Sequence, residues 1–263
     1  MAKTKNGKNL RLAGLFVMIV LGLIVVSVLF KLFLILRMSK FDGTHNFIVS
    51  FVENNKTQVV SFSPQNRTLS ILDVDPKYKN SDLTKSLEIP IDGTVVSQNP
   101  DKSISSTLLE SAFSLGQSLK KLTVLDAFRL FLFYKSVPQN NIYERQLSFV
   151  LNDEQKSTVI TLSLTDTAIY QENQTIQVIN ASDVQGLGSR VAEFITNIGG
   201  NVVLVSTSDE TMRSSVIAYN GNESYTVKRL SNYLGIPSKN SDQRGVADVI
   251  IMIGTDKVNS SNF

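Results

Sequence analysis

Apolar residues fall along the chain in three regimes. The first is a single uninterrupted run: residues 12–30, LAGLFVMIVLGLIVVSVLF, are 19 positions without a charge. As a helix rising about 1.5 Å per residue, this run extends roughly 28 Å, close to the hydrocarbon thickness of a bilayer. The second regime is short and broken. Phe47–Val52, 58–62 and Thr68–Val74 are apolar, partly alternating stretches separated by turn-forming residues at 53–56 and 63–67. That spacing predicts a three-stranded antiparallel meander. Residues 75–103 are polar and carry Pro76, Pro90, Gly93 and Pro100, so they read as a long loop with one short strand near 94–96.

Helical periodicity then takes over. In 103–119 the residues Leu108, Leu109, Ala112, Phe113 and Leu115 recur at three- and four-residue steps, with Ser105 and Ser106 as caps. Residues 122–137, LTVLDAFRLFLFYKSV, form a second and more uniformly apolar helix closed by Pro138, suited to the core of a middle domain. Residues 147–151 and 158–164 read as two further strands, joined by a turn at Asn152-Asp153-Glu154. Residues 165–172 are a polar join.

The third regime alternates cleanly. A strand at 176–179 leads into a helix from Val184 or Gly186 to Ile198, whose apolar stripe is Leu187, Val191, Phe194, Ile195 and Ile198. Gly199-Gly200 stops it. A buried strand at 202–205, another at 214–219, an amphipathic helix at 223–234 and a final strand at 248–254 follow. The order βαββαβ predicts a two-layer domain, four strands with both helices on one face. The whole is therefore expected to be α+β: a basic tail (1–11), a transmembrane anchor (12–36), a middle α+β domain (42–166), the βαββαβ domain (174–256) and a tail (257–263).

Charge sharpens this division. Residues 1–40 hold seven Lys and Arg and no acidic residue. Removing those seven from 26 basic residues leaves 19 against 23 acidic, so the body is mildly acidic although the chain is +3 overall. A body of that sign argues against nucleic acid as a partner, which needs clustered cations. The apolar run is too long for a signal peptide and closes on Leu29, Phe30 and then Lys31 instead of a small-residue cleavage site. Four basic side chains precede the span and three follow it, a bias that puts the N-terminus inside and residues 38–263 outside. The absence of cysteine excludes thiol catalysis, Cys-ligated zinc and disulfides.

Candidate chemistry is sparse. Gly186-Leu187-Gly188 near a helix start offers backbone N–H groups to an anion. It lacks the Lys-Ser/Thr ending of a Walker loop and the three-glycine spacing of a dinucleotide fingerprint. Two readings stay open for Asn180, Ser182, Gly186 and Arg190. They bind a ligand, or they shape the turn and the helix–sheet contact while Arg190 lies on the solvated face, paired with Glu193. His45 is the only histidine, and Asp73 and Asp75, with Asp82, read as a polar strand end and not as a cation cage. Neither a metal nor another cofactor is expected, and no catalytic residue is assigned.

Residues 176–254 resemble the C-terminal domain of the LytR family of bacterial envelope proteins. The resemblance rests on Ile176-Gln177-Val178-Ile179-Asn180-Ala181-Ser182, on Gly186-Leu187-Gly188-Ser189-Arg190-Val191-Ala192, on Gly199 with Val202-Val203, and on Ala247 through Gly254. It implies an extracytoplasmic, wall-associated module without catalytic residues. Upstream, residues 57–74 are similar to the opening strands of the LytR-CpsA-Psr phosphotransferase domain. That family's Ser-Ile-Pro-Arg-Asp-type segment, whose arginine grips a polyprenyl pyrophosphate, is replaced here by Leu72-Asp73-Val74-Asp75-Pro76-Lys77. The upstream region is thus a reduced relative. The expected function is non-catalytic binding of a cell-wall glycopolymer or an envelope partner protein through the C-terminal domain. The alternative is a transferase that attaches glycopolymers from such a carrier to the wall, with Arg67, Arg129 and Arg145 as its available cations.

Overall fold

A computed structural model describes residues 5–53, 56–78, 83–97, 102–114, 118–241 and 245–258. The apolar run forms the core of a 34-residue helix, α1 (Lys5–Met38). Its stretch Ala13–Met38 is long and apolar enough to cross a membrane, and none of the side chains described in it is buried by the protein. At about 1.5 Å per residue those 26 residues extend roughly 39 Å, longer than a hydrocarbon core of about 30 Å.

The middle region is a mixed sheet. The expected meander is present as β1 (Phe47–Val52), β2 (Thr57–Ser63) and β3 (Thr68–Val74), paired antiparallel in that order. After a short helix, α2 (Leu83–Ser86), strand β4 (Gly93–Val96) adds in parallel beside β1. Helix α3 (Ile104–Phe113) precedes the two-residue edge strand β5 (Leu119–Lys120). Helix α4 (Val124–Ser136) precedes β6 (Ile142–Leu147), which pairs in parallel with β3. The strand order is β5-β4-β1-β2-β3-β6. One face packs Phe47, Val49, Phe62 and Ile71 against Leu108 of α3 and Leu130 of α4. The other packs Ile48, Val59 and Leu72 against Ile160 and Leu164. Burial on both faces explains why these strands read as near-continuous apolar runs.

Four expectations need correction here. Residues 158–164 are not a strand. They belong to helix α5 (Asp153–Leu164), and Asn152-Asp153-Glu154 is its start. Asn152 Oδ1 accepts from Gln155 N at 2.8 Å while Gln155 Oε1 accepts from Asn152 N at 3.2 Å, a reciprocal cap that outweighs the strand preference of Thr158, Val159 and Ile160. Residues 147–151 are not a strand either, because the strand ends at Leu147. Its segment Ile142–Leu147 was obscured by Glu144 and Arg145, which an edge position tolerates. The polar join is helix α6 (Thr167–Glu172), capped by Asp166. The helix expected over 103–119 ends at Phe113. Residues 115–117, like 54–55, 98–101, Asp82, the first four residues and the tail from 259, lie outside the described residues.

The C-terminal region follows the predicted order with one addition. Strand β7 (Thr175–Asn180), α7 (Leu187–Asn197), β8 (Asn201–Thr207), β9 (Val216–Tyr219) and α8 (Tyr225–Leu234) are followed by a short strand, β10 (Ser238–Asn240), before β11 (Val249–Ile253). The sheet therefore has five strands, β10-β9-β11-β7-β8, and not four. β10 was missed because three polar residues after Pro237 carry no apolar pattern. Both helices pack on one face, where Val191, Phe194, Ile195, Val227 and Leu230 meet Ile176, Val178, Ile217 and Ile251. Strand 202–205 was expected to be buried. It is the exposed edge of the sheet instead.

Candidate functional site

Helix α1 enters the middle region almost without a linker. Three residues past the end of α1, Phe41 is buried against the rings of Phe47, Phe62 and Phe133. Asp126, fully buried in the first turn of α4, holds the entry. Its Oδ1 accepts from Ser39 Oγ (2.7 Å), Lys40 N (2.8 Å) and Phe41 N (2.9 Å), and its Oδ2 from Thr123 N and Oγ (both 2.8 Å). Burial alone would raise the carboxyl's pKa. The N–H donors of Phe41 and Thr123 and the two hydroxyls outweigh it and hold the pKa below the usual aspartate range. One turn on, Arg129 Nη1 donates to Ser39 Oγ and Phe41 O, both at 3.1 Å.

A second polar cluster joins the two sheets. Ser224 caps α8, and Glu172 of α6 accepts from Tyr225 N, Thr226 N and Thr226 Oγ, fixing the helix's start. One turn in, Arg229 reaches across to the middle domain. Its Nη2 donates to Asn46 O and, at 3.2 Å, to Asp92 Oδ2, and its guanidinium stacks 4.2 Å from the centroid of Tyr233. Asp92 also accepts from Ile48 N (2.8 Å) and Tyr233 Oη (3.3 Å). Tyr225 Oη donates to Asp166 at 2.7 Å, and the ring of His45 stacks on Tyr225 at 4.8 Å. Burial opposes the charge on Arg229, but the surrounding oxygens of Tyr233, Asp92, Tyr225 and Asp166 prevail and keep it protonated. Burial also pushes Asp92 up despite Arg229, and raises both tyrosines, which stay donors. Arg229 Nε has no hydrogen-bond acceptor, and Asp166 lies 3.7 Å away.

Two adjoining hollows open at this joint, about 530 and 480 Å³, and share Lys40, Phe47, Arg229 and Asn232 as walls. Lys121 borders the first and Lys228 the second. The facing acids are engaged: Asp92 by Arg229, and Asp42 by Thr44 and His45. Burial would raise Asp42, but those donors lower its pKa to about 2. Among the described residues the ammonium groups of Lys40, Lys121 and Lys228 have no carboxylate partner. The joint is thus a polar cleft with surplus positive charge, and Lys40 places it two residues beyond the end of α1.

The residues singled out from sequence sit elsewhere. Asn180 Oδ1 accepts from Ser182 N and Oγ, Asn180 Nδ2 donates to Val184 O, and Gly186 precedes α7 with a φ of 82°. These three form one loop, tight enough that a Cβ on Gly188 would come 3.1 Å from that of Asn180. Arg190 N donates to Gly186 O, but its guanidinium bonds neither this loop nor Glu193. It donates to Glu88 Oε1 at 2.6 Å and Lys85 O at 3.2 Å, in the middle domain. Asn197, also on α7, donates to Leu87 O and Glu88 O. Asp73 pairs with Gln58 and Lys56, and Asp75 caps Lys77 N and Phe149 N. Arg67 lies in the β2–β3 turn, Arg145 on β6 beside Tyr143, and Arg129 on α4. Among the described residues no common hydrogen-bond partner joins these three arginines. The cleft residues on α8 were missed because Lys228, Arg229 and Asn232 read as the solvated face of an amphipathic helix. A half-buried Asp92 inside a proline- and glycine-marked loop gave no signal.

Residues 173–256 match the family described as LytR cell envelope-related transcriptional attenuator. The match takes in β7 through β11, a little under one third of the chain. No curated protein and no solved structure matches the chain. The C-terminal region is therefore similar to an envelope-related module, and among the described residues of the chain one helix is long and apolar enough to cross a membrane.

Proposed function

We propose that this is a single-pass envelope protein, N-terminus inside, whose extracytoplasmic C-terminal domain binds an anionic envelope component in the cleft beneath Arg229. The segments are those read from the sequence: tail 1–11, anchor 12–36, a reduced transferase-like domain 42–166, a binding domain 174–256 and tail 257–263. The observation that carries the reading is the set of four cations, Lys40, Lys121, Lys228 and Arg229, around two adjoining hollows whose acids are already engaged. Phosphate or carboxylate groups of a wall glycopolymer, or an acidic segment of an envelope protein, fit that field. No nucleic acid, metal or cofactor enters the reading. Arg190 contributes through the joint that shapes the cleft, and Asn180, Ser182 and Gly186 by fixing the loop ahead of α7. Tethering supplies the mechanism, since confinement at the membrane lets weak contacts hold. The transferase alternative draws no support from Arg67, Arg129 and Arg145, which sit on three elements.

The test is retention of the full-length protein, in nanodiscs, on purified cell-wall material. Lys121→Glu with Lys228→Glu should weaken retention about tenfold, roughly 1.4 kcal/mol, and added salt should do the same to the native chain. Retention unchanged by both reversals refutes the cleft. No retention together with no crosslinked partner refutes the binding role.

A further inference from the structure

The two sheets have four edges, and three carry charge. β5 bears Lys120, β6 bears Glu144 and Arg145, and β10 bears Lys239. β8 is different. Its seven residues, NVVLVST, contain no charge and no proline, and Val203, Leu204 and Val205 are 48%, 38% and 42% exposed. One edge of β8 pairs in parallel with β7, and the other has no strand partner among the described residues. Charged residues at an edge are a usual protection against further pairing, and an uncharged aliphatic edge presents free N–H and C=O groups to any extended chain. A bulge disturbs the start of β8, but from Leu204 to Thr207 its register with β7 is regular.

We infer that β8 is a contact surface for a second copy of this chain, which adds antiparallel to form one continuous sheet. Self-pairing of β8 sets aliphatic side chains against each other and brings no charge across the joint. Pairing with β5, β6 or β10 of another copy would bring in Lys120, Glu144 with Arg145, or Lys239. The contact is isologous, so it closes at two copies instead of propagating. A joint of one strand pair is smaller than the roughly 1,200–2,000 Å² of interfaces that hold in dilute solution. Two chains anchored in one bilayer are already concentrated, so the dimer belongs to the membrane-bound state. None of this depends on the cationic cleft.

The chain has no cysteine, so one introduced thiol reports alone. Single variants Val203→Cys, Leu204→Cys, Val205→Cys and Ser206→Cys of the full-length protein, oxidised in native membranes, should form a self-crosslinked dimer. Its yield should alternate along the strand and peak at the two-fold. Lys239→Cys should not crosslink. Leu204→Lys, at an exposed site, should abolish the Val205→Cys dimer while leaving the unfolding temperature unchanged, and dilution in detergent should lose it too. The inference is overturned by no dimer at any β8 position, by equal yields at β8 and residue 239, by crosslinks only to other proteins, or by a dimer that survives Leu204→Lys.

Discussion

Asp126→Asn tests how firmly α1 is fused to the body. The substitution keeps shape and removes charge. If the amide oxygen takes the place of Oδ1, the bonds to Ser39, Lys40 and Phe41 remain but become neutral. The amide nitrogen then faces Thr123 N, donor against donor. Hydrogen bonds to a charged group contribute about 1.5–3 kcal/mol, against about 0.5–1.5 for neutral ones, and a stranded buried N–H costs about 1–3. Loss of charge assistance on three bonds plus one stranded donor gives about 4–7 kcal/mol, a large part of a typical domain's 5–15. Denaturant unfolding of the full-length protein in nanodiscs measures the loss, and amide exchange at residues 39–41 and 123 localises it. The sign with pH is fixed as well. The Asp126 pKa is lowered on folding, so its contribution is whole above the ordinary aspartate value of about 3.9 and is lost as pH falls through the folded pKa. The Asn variant should lose that portion of the acid dependence. A loss below about 1 kcal/mol, with exchange at 39–41 unchanged, would refute the clamp.

Two further outcomes follow from the joint between the sheets. Arg229→Met leaves Asp92 and Asp166 without their cation in a buried seam and should cost about 3–5 kcal/mol, read as a fall in thermal midpoint. Adding Asp92→Asn should recover part of that loss. Asn197→Ala removes the donors to Leu87 O and Glu88 O and should cost about 1–3 kcal/mol, with faster exchange in α7.

What the sequence made legible depended on how many faces each element buries. The α7 and α8 stripes announce themselves because one solvent-facing side sets a clear period, whereas the long helix and the meander are legible as near-continuous apolar runs bounded by charged or turn-forming residues. Helix α5 did not. Its buried residues Ile160 and Leu164 are spaced for a helix, but Thr158, Val159 and Thr161 surround them with strand-forming side chains, and only the cap at Asn152 decides the outcome. Edge strands fail for the opposite reason, since β6 and β10 carry charge where a strand pattern expects apolar residues. The cleft was illegible in principle. Lys40, Lys121 and Arg229 come from three distant segments, and only the packing of α8 against the loop carrying Asp92 brings them together.

The burial of Phe41 so soon after α1 has a consequence for reach. A body seated directly on the end of α1 cannot swing outward on a tether. Any tilt of that helix in the lipid turns the globular part with it, and what it touches must approach to within one molecular diameter, roughly 45 Å for a compact chain of this size. With α1 in a bilayer, as proposed above, such a body would reach only the layer next to the lipid, on whichever side it lies.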